Sequence, residues 1–319
     1  MPASALTTDR LREEAASLGF LACGVAHLGP SARPEALDGW LARGYAGTMR
    51  YLHRQARRRK QPALIVPKAK VAVVVLENYA VPKAPEDGVS GVKVAAYARG
   101  EDYHRALMRR LGQLAAVLTQ HGATVAHPWA DSGPVPEREL AERAGLGWIG
   151  KNTMLIRPGV GSSFFIGSVF TDLALASDAP MVTDHCGTCT ACLDACPTGA
   201  LVAPRLLDAT RCISYLTIES RPPAPASLAP RLAGWAFGCD ICTDVCPWNL
   251  RFAEPTTRPE YQPRPEPDTS DPGYFDRLTE AEFEARFGDT PFVRVGLARM
   301  RRNWRLAVAS RPDPAGPVG

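Results

Sequence analysis

Cys186-Gly187-Thr188-Cys189-Thr190-Ala191-Cys192-Leu193-Asp194-Ala195-Cys196-Pro197 is answered, after Cys212, by Cys239-Asp240-Ile241-Cys242-Thr243-Asp244-Val245-Cys246-Pro247. Eight of the nine cysteines fall in this one block. Each run closes on a cysteine followed by proline, and in paired ferredoxin-type runs that last thiolate reaches the other run's cluster. The spacing therefore assigns one [4Fe-4S] cluster to Cys186, Cys189, Cys192 and Cys246, and a second to Cys212, Cys239, Cys242 and Cys196. The exchange staples both runs into one ferredoxin-like lobe built for one-electron transfer. Disulfides fit poorly, because they belong to oxidising compartments and small secreted domains. Zinc is the competing metal, but a CxxCxxC triplet crowds three thiolates onto one short loop, which suits the corner of a cubane better than a tetrahedral ion. Cys23, alone in an apolar stretch, reads as an ordinary buried thiol.

The chain has 319 residues, enough for two domains and a sizeable core. Its 37 Lys+Arg against 33 Asp+Glu give a net charge of +4, which permits a polyanionic partner without requiring one. The first residues lack a signal-peptide core and a twin-arginine motif, and no stretch reaches the ~18 apolar residues of a membrane span. A cytoplasmic protein is expected, where thiolates stay reduced.

Leu11, Ala15 and Leu18 recur at helical spacing between a Thr8 or Asp9 cap and Gly19. Val71 to Leu76 is a short β-branched run that predicts a strand buried on both faces. Leu107, Leu111, Leu114 and Leu118 form an amphipathic stripe closed by His121-Gly122. A further strand is expected over Ala123–Ala126, a short helix over Glu137–Ala144, and one or two strands from Phe164 to Leu175. The class is α+β: a layered α/β domain over 1–178, the cluster lobe over 179–250, and a tail over 251–319. Within the lobe, Arg221-Pro222-Pro223-Ala224-Pro225 reads as a surface loop. Six prolines between Ala253 and Pro272 predict an extended tether with little regular structure, followed by a basic helical tail carrying Arg294, Arg299, Arg301, Arg302 and Arg305.

Two clusters make an electron wire, and a wire needs an acceptor. Neither a GxGxxG after a strand nor a GxxxxGK[ST] loop is present. The polar tract Asp131-Ser132-Gly133-Pro134-Val135-Pro136-Glu137-Arg138 and the run Gly147-Trp148-Ile149-Gly150-Lys151-Asn152 stand out instead, since glycines let backbone approach a flat ligand closely.

These segments, with Tyr51-Leu52-His53-Arg54, Tyr97-Ala98-Arg99-Gly100-Glu101-Asp102-Tyr103-His104 and Cys239 to Asn249, resemble the epoxyqueuosine reductase family over roughly residues 7–250. The resemblance implies a cobalamin cofactor beside the two clusters, and reduction of epoxyqueuosine at the wobble position of a tRNA to queuosine. Removing an epoxide oxygen consumes two electrons and two protons, and a carboxyl in a pocket can supply a proton. The family motif gives that role to Asp131, which is also counted among the cobalamin contacts; Asp-Ser-Gly-Pro is equally a turn sequence.

Arg54, Lys151 and Asn152 match family motif positions expected to touch cobalamin. Ser214 and Asp240 join them because each lies within two residues of a cluster ligand. No Asp-x-His-x-x-Gly segment is present, so a base-off corrin without protein imidazole is expected, with His104 structural. The run Arg54-Gln55-Ala56-Arg57-Arg58-Arg59-Lys60 is either a solvated helix face or a grip on tRNA phosphates. An external flavodoxin- or ferredoxin-like electron donor and a monomeric state complete the expectation. Longer family members continue into a helical-repeat extension, so part of the tRNA platform is expected to be missing here. Two other readings remain: a related corrin enzyme removing halide from a small molecule, and a plain electron carrier, for which 178 residues ahead of the clusters have no use.

Overall fold

The computed structural model describes residues 6–81 and 91–311. In chain order the first unit comprises α1 (Thr8–Ser17), β1 (Ala22–His27), α2 (Pro34–Ala42), α3 (Arg50–Lys60), β2 (Val71–Asn78) and the short β3 (Lys93–Val94). It continues with α4 (Tyr103–Gln120), β4 (Ala126–Ala130), α5 (Glu137–Arg143), β5 (Trp148–Ile149), β6 (Leu155–Ile156) and β7 (Phe164–Thr171). The main sheet has the order β1-β2-β7-β4 with every neighbour antiparallel. Side chains alternate across it. Val71, Val73 and Val75 join the core under α1 and α4, while Ala72, Val74 and Leu76 join the one under α5. β2 is therefore buried on both faces, as its unbroken apolar run predicts. The stripe Leu107, Leu111, Leu114 and Leu118 is fully buried, and each such leucine contributes ~1.5–3 kcal/mol. The α+β class holds.

One strand differs from the sequence expectation. Residues 123–126 were expected to pair, but the strand runs Ala126–Ala130. The carboxylate of Asp172 accepts the N–H groups of Thr124 and Val125 at 3.0 Å, turning the chain before it meets β7. Pro128 is tolerated because β4 is an edge strand. Between Phe164 and Leu175 there is one strand.

The cluster lobe contains α6 (Ala191–Asp194), β8 (Leu201–Ala203), β9 (Leu206–Leu207), α7 (Ile213–Ile218), β10 (Trp235–Phe237), α8 (Ile241–Asp244) and α9 (Pro247–Phe252). The proline-rich stretch that follows has little regular structure, as expected, but it is not a free tether. Thr256 N–H donates to the Ala80 carbonyl at 2.7 Å, Arg258 donates to the carbonyls of Leu18 and Gly19, and Tyr261 is buried in the α1–α4 core.

Helices α10 (Glu280–Phe287) and α11 (Gly296–Ala309) then bury Phe275, Phe283, Phe287, Phe292 and Trp304 against Val92, Val94 and Phe237. A Thr279–Glu282 capping box starts α10. The tail arginines are largely spent on the protein itself. Arg299 donates to the Val295 and Ile218 carbonyls, Arg301 to Phe275, Arg302 to Ser220, while Arg294 and Arg305 pair with Glu219 and Asp276. Among the described residues no helix is long and apolar enough to cross a membrane.

Candidate active site

The two CxxC segments each run into a one-turn helix, α6 or α8, and these helices pack on each other. Cys186, Cys189, Cys192 and Cys246 line one cavity of about 190 Å³. Cys246, from the second run, thus stands with the first three. Cys212 lies within electrostatic reach of Cys196, Cys239 of Cys242 and Cys212, and Cys242 of both Cys212 and Cys196. The first expected set thus shares one cavity, while the thiols of the second act on one another and Cys192 also lies within reach of Cys242. Four cysteines lining one cavity fit a cluster several ångströms wide. The N–H of Ala200 donates to Cys196 Sγ at 3.3 Å, a contact suited to a thiolate ligand.

Asp131 sits at the end of β4 with φ +48, a left-handed conformation that Asp tolerates better than most residues. Its carboxylate accepts the Tyr103 hydroxyl at 2.5 Å, and His104 Nε2 lies 3.8 Å away. His104 Nδ1 is held by Asp102 at 2.7 Å and its ring stacks on Tyr103, which in turn stacks on Phe165. Three elements thus meet at Asp131. The loop beyond it is anchored twice. Glu137 Oε1 accepts the Asp131 N–H at 2.7 Å, and the Arg59 guanidinium donates to the carbonyls of Gly133 at 2.9 Å and Val135 at 3.2 Å. Gly133, at φ +139, lies so close to Trp129 that a Cβ would come within 2.5 Å of the indole.

Charge in this region is confined. Burial, and next the Asp131 charge, push the Glu137 carboxyl up to about 8. Burial lowers Arg59 and Arg138, and raises Tyr103 well above the usual phenol range, with Asp131 adding to it. Arg138 is exposed, and its guanidinium donates to the Thr153 carbonyl at 2.5 Å.

Tyr79, Tyr97 and Tyr103 form a half-buried row of rings beside Asp131, in edge contact at 6.5 and 5.9 Å. Burial raises Tyr79 and Tyr97, with Asp240 the next cause for both; Asp131 also acts on Tyr97 and Cys242 on Tyr79. The row of rings meets the Asp131 carboxylate through the Tyr103 hydroxyl, and beside Tyr97 the Ala96 N–H donates to Asp240, which lies between Cys239 and Cys242 in the chain.

The other expected contacts are placed as follows. Arg54 is exposed on α3 together with Arg57 and Arg58, while Arg59 and Lys60 turn inward. Lys151 Nζ donates to the carbonyls of Gly187 at 2.6 Å and Cys189 at 2.9 Å, and Asn152 Nδ2 donates to Cys242 at 3.3 Å. Both residues thereby tie the Gly147–Asn152 run to the cluster loops. Asp240 accepts the Ala96 N–H at 2.7 Å, joining the lobe to the Tyr97 segment, and Ser214 is half-buried in the first turn of α7. Burial raises the Cys23 thiol to about 12, in keeping with an inert residue. Sequence reasoning missed the Arg59 and Glu137 anchors. Glu137 lay in the polar tract already singled out, but nothing there showed that its carboxylate folds back on Asp131.

The class of protein is an iron–sulfur oxidoreductase with two clusters. Residues 185–249 match the 4Fe-4S double cluster binding domain, and residues 59–132 match the family described as epoxyqueuosine reductase QueG, DUF1730. The epoxyqueuosine reductase of Pseudomonas aeruginosa is 38% identical over 98% of this chain and 88% of its own length; that of Cellulophaga algicola is 38% identical over 93% and 96%. A crystal structure of epoxyqueuosine reductase with an epoxyqueuosine-modified tRNA-Tyr stem loop superposes with a TM-score of 0.84 at 30% identity, covering 95% of this chain and 80% of the other. The Bacillus subtilis enzyme, solved with its aspartate catalytic loop swung out of the active site, matches with a TM-score of 0.83, 30% identity and coverage of 95% and 81%. This chain belongs to the epoxyqueuosine reductase family.

Proposed function

We propose that the protein reduces epoxyqueuosine at the wobble position of a tRNA to queuosine, with electrons passed through its two [4Fe-4S] clusters. Family membership across nearly the whole chain supports the reaction, and one geometric observation carries the mechanism: a row of packed tyrosines that bonds to Asp131 through Tyr103 and adjoins, beside Tyr97, the Asp240 segment of the second cysteine set. The half-buried tyrosine rings suit a broad, flat group, and cobalamin is the group that the site would hold. Bound there, it supplies a centre that collects the two electrons the deoxygenation consumes.

The chain's own residues do the rest. Asp131 holds the proton delivered to the departing oxygen, and Tyr103 and Glu137 fix its carboxylate and backbone. Asp240 and Ser214 flank the path from the second cysteine set, while Lys151 and Asn152 hold the cluster loops against the site and Arg54 reaches the cofactor's polar rim. The exposed arginines of α3 grip tRNA phosphates, an interaction that salt weakens steeply. In this reading residues 1–178 bind cobalamin and carry the reaction, 179–250 relay electrons, and 251–319 form a proline-rich tether and short helical tail. The reductant is an external flavodoxin- or ferredoxin-like protein, and the enzyme works as a monomer in the cytoplasm.

Anaerobically reconstituted protein, supplied with cobalamin and a low-potential reductant, should convert epoxyqueuosine to queuosine in a tRNA anticodon stem loop, read by mass spectrometry of the nucleosides. No conversion, with both clusters present by EPR, would overturn the proposal.

A further inference from the structure

The reaction takes up two protons, and Asp131 can hold only one at a time. A second carboxyl faces the same space. Asp131, Glu137, Arg59 and Arg138 line one cavity of about 400 Å³, large enough for water between the carboxyls. Glu137 is half-buried there, and its Oε1 accepts the Asp131 N–H at 2.7 Å.

We propose that Glu137 is the enzyme's second proton store: it reloads Asp131 within the turnover while holding the Asp131 backbone in place. This rests on the reductase reading above. Asp131 gives its proton to the oxygen of the opened epoxide and becomes a carboxylate. The Glu137 O–H bond then breaks, a cavity water carries the proton, and an O–H bond re-forms on Asp131, which gives it to the hydroxyl as water departs. Glu137 afterwards takes a proton from solvent. The two electrons come from the reduced carrier through the clusters, so charge and atoms balance.

The surroundings suit a carboxyl that keeps its proton near neutrality. Burial and the neighbouring Asp131 charge raise it to about 8, outweighing the opposing Arg59 and Arg138. Farther round the cavity Arg33 is paired with Glu142 and Lys60 with Asp38, while Glu139 accepts from Ser31 and the Ala32 N–H. Tyr103 and His104, from α4, face the Asp131 carboxylate. Glu137 is neutral and holds its proton below about 8 and is an ionised carboxylate above it, so turnover falls as pH rises through that value.

Two measurements decide it. Infrared difference spectra at pH 7 should show a protonated-carboxyl stretch in the wild type that is absent from Glu137→Gln. Steady-state turnover of Glu137→Gln, whose side-chain oxygen still accepts the Asp131 N–H, should fall by roughly 100-fold and lose the alkaline limb, with RNA affinity and cluster EPR unchanged. A missing band, or a Glu137→Gln enzyme with wild-type rate and pH profile while Glu137→Ala is slow, would leave only a positioning role and overturn the proposal. A wild type that shows the band but converts no epoxyqueuosine RNA would overturn the reaction reading, and the proton-supply role with it.

Discussion

Arg59→Met removes the loop anchor, together with a charge that opposes the raised proton affinity of Glu137. The guanidinium donates to the Gly133 and Val135 carbonyls, while its Nε is buried without a partner. Methionine keeps an apolar stem of similar length and removes both donors. A hydrogen bond from a charged group contributes ~1.5–3 kcal/mol net. The longer of the two counts for less, so the loop loses about 2–3 kcal/mol of anchoring, equivalent to roughly 30- to 150-fold in its placement. Global stability should hardly change, because burial already disfavours the Arg59 charge and removing it relieves that cost. The assay is single-turnover conversion of an epoxyqueuosine stem loop at saturating RNA, alongside cluster EPR and a thermal melt. A rate loss of 10-fold or more, with intact clusters and an unshifted melt, is expected. A rate within threefold of wild type would refute the view that Arg59 places the Asp131 loop.

Asp131→Asn should retain both clusters and the Tyr103 contact yet abolish turnover; unchanged turnover would return Asp131 to a turn-forming role. Cys246→Ser should spare the cluster of Cys212, Cys239, Cys242 and Cys196 while disturbing that of Cys186, Cys189 and Cys192, and Cys196→Ser should do the reverse. Iron analysis and EPR of the two variants would expose an uncrossed pattern if each mutation instead damaged its own run's cluster. Arg110→Met leaves Glu77, 1% exposed, with the Tyr261 hydroxyl and the more distant Arg258. Breaking such a buried pair costs about 3–5 kcal/mol. Burial already raises the Glu77 carboxyl against the pull of Arg110. Without Arg110 it rises further, so the folded variant holds a proton that the unfolded chain releases above the ordinary carboxylate range, and stability falls as pH increases from there. Melts at pH 5 and pH 8 that show equal losses would contradict this.

The cluster chemistry was legible from spacing because a cubane demands thiolates at short, fixed intervals on one loop and a fourth from outside it. The buried β2 strand and the α4 stripe were equally plain, since their apolar periods match the elements they form. The strand at β4 was misjudged because an Asp172 carboxylate, 46 residues beyond Ala126 in sequence, takes the N–H groups that would have begun the pairing. The tail illustrates the same limit. Prolines announced an extended path, but the contacts of Arg258 and Tyr261 with α1 and α4 are long-range and leave no local mark.

Composition and spacing alone determined that this chain carries two clusters, and its ordered motifs singled out Asp131. Which side chains meet at that acid was decided only by the folded protein. Arg59 comes from α3, Tyr103 from α4 and Glu137 from α5, and they meet because the antiparallel sheet and its flanking helices bring those elements together. The elevated proton affinity of Glu137 has the same origin: it arises from burial and from one neighbouring charge, and neither is a property of the residues beside it in the chain.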